Sequence, residues 1–104
     1  MERITNVNKL KKGDMIVNVT GETITILEFI EVHPHNETYS LMLNLSTKDA
    51  PKFYNKRLEE DIWYRYTNDD DQWAELYQMI VNNLNKTILR YQSKIEVLRS
   101  RSRT

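Results

Sequence analysis

The last third of the chain contains neither glycine nor proline, and nothing in the sequence interrupts a helix from about Asp70 to Arg101. Residues 68–71 are one asparagine followed by three aspartates. Such side chains cap the free N–H groups of a first turn, and their charge suits the positive end of the helix dipole. Arginines at the other end suit the negative end. We therefore predict one long C-terminal helix, with a basic tail, within residues 68–104.

Large apolar side chains follow one stripe along this helix, at a mean spacing of about 3.6 residues, the α-helical period. The stripe comprises Trp73, Tyr77, Ile80, Leu84, Ile88, Tyr91, Ile95 and Leu98. A helix of about 30 residues is roughly 45 Å long, because each residue rises about 1.5 Å. A β module of about 65 residues is only about 25 Å across. The far part of the stripe would therefore face water unless something covers it.

Self-association is the preferred explanation of the stripe, because burying each such side chain contributes about 1.5–3 kcal/mol. The simplest cover is the same helix from a second copy, in a dimer or a larger homo-oligomer. The predicted interface residues are Tyr77, Ile80, Leu84, Ile88, Tyr91, Ile95 and Leu98. Two alternatives stay open. The helix breaks near Asn82, Asn83 and Asn85 and folds back as a hairpin, or its end is a frayed tail.

Residues 1–67 form the rest of the single domain and predict an antiparallel β module. β-prone runs alternate with turn signals, and Gly21 lies in a tight turn between the first two runs. The predicted strands are Met15–Thr20, Thr23–Val32, Thr38–Leu45, a start at Phe53 and Tyr54, and Asp61–Thr67. The fold class is therefore α+β, with about five strands in a meander or an SH3-like barrel before the helix. Periodicity does not separate the open sheet from the barrel.

Alternation in the last strand separates two faces. Ile62, Tyr64 and Tyr66 are assigned to the core, whereas Trp63 and Arg65 are assigned to the opposite, available face. Aromatic rings with basic neighbours can stack on bases and pair with phosphates. The predicted ligand surface comprises Trp63, Arg65, Arg57 and Tyr54. The alternative is that these aromatic residues are core and that the cations only cover its rim.

The net charge predicts no overall attraction to nucleic acid, because 15 basic residues balance 15 acidic ones. The distribution is nevertheless polarised, with acidic residues before the helix and basic residues at its end. Arg99, Arg101 and Arg103 are the candidate phosphate contacts of a nucleic-acid-binding alternative. The same arginines can instead satisfy the helix dipole or meet the acidic segment of a neighbouring subunit.

No catalytic arrangement is recognisable in the sequence. The chain has no cysteine, no glycine-rich phosphate loop, and only two histidines, His33 and His35, which flank Pro34 in a predicted turn. These histidines are interpreted as a solvated turn, and Asp69 to Asp71 as a helix cap, so no metal or cofactor is expected. The expected protein is not an enzyme.

The expected location is cytoplasmic, since no signal peptide and no membrane-spanning run of about 18 apolar residues is recognisable. Plentiful Asn, Ile, Lys and Tyr fit a low-GC bacterium, phage or mobile element. The first functional hypothesis is a self-associating interaction protein, such as a phage or mobile-element accessory factor that binds a host protein or small ligand. The second is a nucleic-acid-binding module.

Overall fold

The computed structural model describes residues 1–35, 39–46, 52–55 and 61–102, with residue 7 and residues 52–55 described by their backbone alone. A short 3-10 helix, Val7–Lys9, precedes five strands and one long helix. These are β1 (Met15–Thr20), β2 (Thr23–Val32), β3 (Tyr39–Asn44), β4 (Lys52–Asn55), β5 (Tyr64–Arg65) and α1 (Asp70–Ser102). The last predicted strand, residues 61–67, thus forms only over two residues.

The five strands make one antiparallel sheet in the order β4-β3-β2-β1-β5. Strands β1 to β4 are a meander, and β5 returns to the free side of β1. The first hairpin turns at Gly21, whose φ of 59° suits a two-residue loop between Thr20 and Thr23. The α+β prediction of an antiparallel sheet before one long helix is confirmed. In the described strands the sheet is open, with β4 and β5 apart, so it is the meander rather than the barrel.

The N-terminal segment extends the sheet beyond β5. Arg3 forms a β-bridge with Tyr64. The amide of Ile4 donates to the Trp63 carbonyl at 2.8 Å, and the amide of Arg65 donates to the Glu2 carbonyl at 2.9 Å. The short strand β5 therefore lies between β1 and the N-terminal segment, which occupies its outer hydrogen-bonding side.

The sheet is covered on both faces. One face carries the main core cluster, to which the N-terminal segment contributes two side chains. The cluster comprises Ile4, Leu10, Ile16, Leu27, Phe29, Met42 and Trp63, with Val32 packed against it. Val17 alternates with Ile16 and is fully buried on the other face, where Leu76 of α1 is fully buried too. The buried side chains Ile4 and Leu10 of the N-terminal segment and Leu76 of the helix therefore lie on opposite faces of the sheet.

Alternation grouped the residues of β5 correctly, but the assignment of its core face was wrong. Trp63, predicted to be available, is only 5% exposed, whereas Ile62, predicted to be core, is 49% exposed. The reason is the N-terminal segment, which places Ile4 beside Trp63 on that face. In β3 the buried face is the one with Ser40 and Met42.

A bulge in β2 moves Val32 to the face opposite to the one that simple alternation along the strand predicts. The pairing with β3 shifts between Phe29 and Glu31, so Ile30 is the extra residue. Val32 consequently joins the face of Leu27 and Phe29. The simple alternation of the sequence placed Val32 on the opposite face with Ile24, because one inserted residue reverses every later side chain.

The helix α1 is continuous from Asp70 to Ser102, so the prediction of one long helix is confirmed and the alternative of a hairpin near Asn82, Asn83 and Asn85 is wrong. At about 1.5 Å per residue its 33 residues span about 50 Å. The radius of gyration is 18.3 Å, against about 13 Å for a compact chain of this length. None of the helices in the described ranges has the length and apolar character needed to cross a bilayer.

A candidate interaction surface on the long helix

Asp69 caps the start of α1. Its carboxylate accepts a hydrogen bond from the amide of Gln72 at 2.7 Å and another from the Thr67 hydroxyl at 2.6 Å. The Thr67 hydroxyl first, and then the Gln72 amide, hold the pKa of the Asp69 carboxyl below its usual range. The helix start predicted from residues 68–71 is therefore confirmed, with Asp69 as the capping residue.

Gln72 ties the helix to β5 through a buried side chain. Its Oε1 atom accepts from the amides of Thr67 at 2.8 Å and Asn68 at 3.3 Å. Its Nε2 atom donates to the Arg65 carbonyl at 2.7 Å. These bonds use both ends of one buried amide, as a satisfied polar group requires. They fix which side of α1 faces the sheet.

The sheet-facing side of α1 mixes polar and apolar residues. Its buried or half-buried positions include Gln72, Leu76, Met79, Asn83 and Thr87. Asn83 donates from Nδ2 to the Gly21 carbonyl at 3.1 Å, at the tip of the first hairpin. Every residue from 88 to 102 is exposed, so about 22 Å of helix extends beyond the sheet.

The predicted apolar stripe lies on a neighbouring side of the helix. Tyr77, Leu84 and Ile88 each follow a sheet-facing residue by one position, which is about 100° around an α-helix. Tyr77 and Leu84 are therefore 59% and 39% exposed although they lie alongside the β module, and Ile88, where the exposed overhang begins, is 52% exposed. Tyr91, Ile95 and Leu98 continue the exposed stripe, whereas Ile80 is half-buried. The stripe is thus uncovered along most of its length, and not only where the helix overhangs.

Val81 completes a heptad pattern that the 3.6-residue stripe missed. The exposed apolar positions then alternate by four and three residues, which is the spacing of a coiled-coil seam. We call this set the heptad face: Tyr77, Val81, Leu84, Ile88, Tyr91, Ile95 and Leu98. The β-branched Val81, Ile88 and Ile95 occupy the a positions, and tyrosine and leucine alternate at the d positions. The choice of Val81 over Ile80 is readable from the sequence once a 3.5-residue period is tested.

Two cations border the heptad face at its centre. The guanidinium of Arg90 lies 5.5 Å from the Tyr91 ring centroid, and the ammonium of Lys94 lies 5.4 Å from it. Both distances are within the range of a cation–π contact. The face is therefore apolar along its middle and basic along one edge near Tyr91.

The predicted ligand surface does not form as expected. Trp63 is buried in the core, where its ring has no exposed face on which a ligand could stack. The Arg65 guanidinium pairs with Asp14 and with Glu2, each at 3.4 Å. Arg57 and the side chain of Tyr54 lie outside what the structure describes, although the backbone of Tyr54 belongs to β4. Of this set, only Arg65 keeps a partly exposed and described side chain.

Asp14 links the Arg65 pair to the first turn. Its carboxylate accepts the Lys11 amide at 2.8 Å, and Arg65 lies on the same oxygen at 3.4 Å. The Lys11 amide, and with it Arg65, holds the pKa of the Asp14 carboxyl below its usual range against the opposing effect of burial. This arrangement is structural, because it joins the segment before β1 to β5.

The remaining predicted groups do not converge on a site. Arg99 and Arg101 lie in the last turn of α1, and Arg103 is outside the described residues. His33 and His35 approach edge to face with ring centroids 6.0 Å apart. Within the described ranges, no group of three or more potential metal-ligating side chains is present.

A crevice of about 240 Å³ lies between β5 and α1, which the sequence did not suggest. It is lined in part by Ile62, Tyr64 and Lys86. Small-molecule sites usually have volumes of about 300–1,000 Å³. Its two asparagines, Asn82 and Asn83, are already bonded to Gln78 and to the Gly21 carbonyl. The crevice is therefore a weaker candidate site than the heptad face.

Comparison with protein-family models, with curated proteins and with solved structures finds no significant match.

Proposed function

We propose that this chain is a non-enzymatic interaction protein that self-associates through the heptad face of α1. The observation that carries the proposal is a row of seven apolar side chains, from Tyr77 to Leu98, each at least 39% exposed on one side of a continuous helix. Exposed apolar rows of this kind mark interaction surfaces.

The energetics favour a partner for this face. Removing a side chain such as leucine or isoleucine fully from water is worth about 1.5–3 kcal/mol, and the face offers seven partly exposed ones per copy. Association costs about 4–15 kcal/mol in lost freedom of motion. A continuous row can offset that cost, whereas one or two isolated residues cannot. The β module packs its sheet against another side of α1, so this row of side chains stays exposed.

A nucleic-acid-binding function receives less support from the geometry. Its expected aromatic platform included Trp63, which is buried, and its expected cation Arg65 pairs with two carboxylates. Arg99 and Arg101 remain at the helix end, close to the proposed interface. Self-association accounts for the apolar row, which nucleic-acid binding leaves unexplained.

The test is the mass of the protein in solution, measured by light scattering coupled to size exclusion. The wild-type chain is expected at a multiple of 12.5 kDa. Leu84→Asp and Ile95→Asp should each reduce the mass to that of one chain, because each buries a charge in the proposed interface. Circular dichroism of the variants separates dissociation from unfolding of the β module.

Leu89→Asp is the matched control. Leu89 is 62% exposed on the same helix but lies outside the heptad face, so this variant should keep the wild-type mass. A single-chain mass for the wild type across the micromolar range would refute the proposal. Retention of the wild-type mass by both face variants would also refute it.

A further inference from the structure

We infer that the partner is one second copy whose helix runs antiparallel, with Tyr77 of each copy facing Ile95 of the other. This inference rests on the proposed self-association and specifies its geometry. In this alignment Val81 faces the partner's Tyr91 and Leu84 faces the partner's Ile88. Leu98 meets the partner's Ala74, which is exposed. Every residue of the heptad face is thereby covered by an a or d position of the other helix.

The charge distribution along α1 is the main evidence for this direction. The first turns carry Asp70, Asp71 and Glu75, whereas the second half carries four cations from Arg90 onward and only one acid, Glu96. A parallel pair would place acidic ends together and basic ends together. An antiparallel pair places each basic end beside the partner's acidic start. Interfaces generally juxtapose opposite potentials, and like-charge juxtaposition is penalised.

Charged residues at the e and g positions, beside the a/d seam, also favour the antiparallel direction. In a parallel pair, residue g contacts the residue five positions later in the partner, so Lys94 would face the partner's Arg99. In the antiparallel alignment, Arg99 instead faces the partner's Asp71, since both occupy e positions. Asp71 and Arg99 are exposed at opposite ends of the helix. The antiparallel direction thus replaces the repulsive Lys94–Arg99 pair in each half of the assembly with an Asp71–Arg99 ion pair.

The β modules leave room for this partner. The sheet packs on the side of Gln72, Leu76 and Asn83, about 100° from the heptad face. Ala74 and Asp71, where the partner's helix end would lie, are exposed. The two helices can overlap along residues 74–98, a length of about 36 Å, without displacing either sheet.

Disulfide trapping tests the direction, and the chain is suited to it because it has no cysteine. Two single variants are prepared, Tyr77→Cys and Ile95→Cys. A disulfide requires Cα atoms within about 7 Å. In the antiparallel pair, residue 77 lies opposite the partner's residue 95, and two copies of residue 77 are about 27 Å apart along the axis. In a parallel pair, residue 77 lies opposite residue 77.

The expected result is a mixed disulfide of twice the 12.5 kDa chain mass when the two reduced variants are combined and oxidised, with little product from either variant alone. Ser93→Cys, which lies on the opposite side of the helix, is the control for random collision. Products from each variant alone, without a mixed product, would overturn the direction in favour of a parallel pair. No product from any combination would overturn this alignment. Under reducing conditions, a single-chain mass of both variants and of the wild type would instead refute self-association itself.

Discussion

Asn83 of α1 donates a hydrogen bond from its Nδ2 atom to the carbonyl of Gly21, 3.1 Å away at the tip of the first hairpin. It joins the middle of the helix to the sheet, just before the helix leaves the β module. Asn83→Ala should lower the free energy of unfolding by about 1 kcal/mol, as expected for one lost hydrogen bond. Urea denaturation measures this change.

Asn85→Ala is the control for this prediction, because Asn85 is an exposed asparagine on the same helix. It should change the free energy of unfolding by less than about 0.5 kcal/mol. Because Asn→Ala raises helix propensity at both positions, equal effects of the two substitutions would mean that the contact with Gly21 adds no measurable stability.

The second prediction concerns Gln72, whose side chain is hydrogen-bonded to the backbones of Thr67, Asn68 and Arg65. Gln72→Met keeps the length of the side chain and removes all three hydrogen bonds. We expect a loss of about 2 kcal/mol, because water can reach part of the released backbone groups but not all of them. Thermal unfolding followed by circular dichroism measures it. Gln78→Met, at an exposed position, should be nearly neutral, and a comparable loss there would contradict this account.

Trp63 provides the third prediction, and it separates a core role from a ligand-binding one. The Nε1 atom of Trp63 has no hydrogen-bond partner in the described structure, so Trp63→Phe loses packing contacts but no hydrogen bond. Trp63→Ala should lower the free energy of unfolding by about 3–5 kcal/mol, and Trp63→Phe by much less. Chemical denaturation measures both changes. An Ala variant with wild-type stability would show that the side chain is not part of the core.

Asp14 provides a pH prediction. Its folded-state pKa lies below the usual value of 3.8, so its stabilising effect is fully present above that value. The effect is lost as the pH falls through the lower, folded-state pKa. Asp14→Asn should therefore have a lower Tm than wild type at pH 7, and the difference should shrink as the pH falls below about 4. Asp61→Asn, at an exposed position, is the control, and a difference for Asp14→Asn that does not shrink at all as the pH falls below about 4 would contradict the prediction.

Asp71 and Arg99 allow a charge-swap test of the antiparallel pair. Arg99→Glu should weaken the assembly by roughly three- to tenfold in Kd, because it places a carboxylate against the partner's acidic Asp71. Combining it with Asp71→Arg should restore much of the affinity. Analytical ultracentrifugation measures both. A parallel pair predicts the opposite sign for Arg99→Glu, since the new carboxylate would then face the partner's Lys94.

The sequence predicted the larger elements because their signals are local. The helix start depends on Asp69 and its neighbours, the first hairpin on Gly21, and the length of α1 on the absence of helix breakers. The core face of β5 could not be predicted in the same way. Alternation shows that Trp63 and Arg65 share a face, but both faces of this sheet are covered. The choice depends on the N-terminal segment, whose pairing with β5 is a long-range contact.

The same dependence on long-range contacts explains why the sequence did not identify the side of α1 that packs on the sheet. Apolar periodicity identified an exposed row and not the line that packs on the sheet, because that line includes the polar residues Gln72, Asn83 and Thr87. A buried amide becomes recognisable only when its hydrogen-bond partners are known. The exposed row was therefore the more visible feature in the sequence, although it contributes little to the fold of one chain.

The overhang of α1 has a consequence for the kinetics of amide exchange. Residues 88–102 are all exposed, and most helical stability in proteins comes from tertiary packing, which this segment lacks in a single chain. If the partner helix supplies the missing packing, this segment gains its protection only when two chains meet. Its amide protons should then exchange more slowly as the protein is concentrated, whereas those of β1 and β2 should be much less sensitive to concentration. Folding of the last four turns and assembly would be one event.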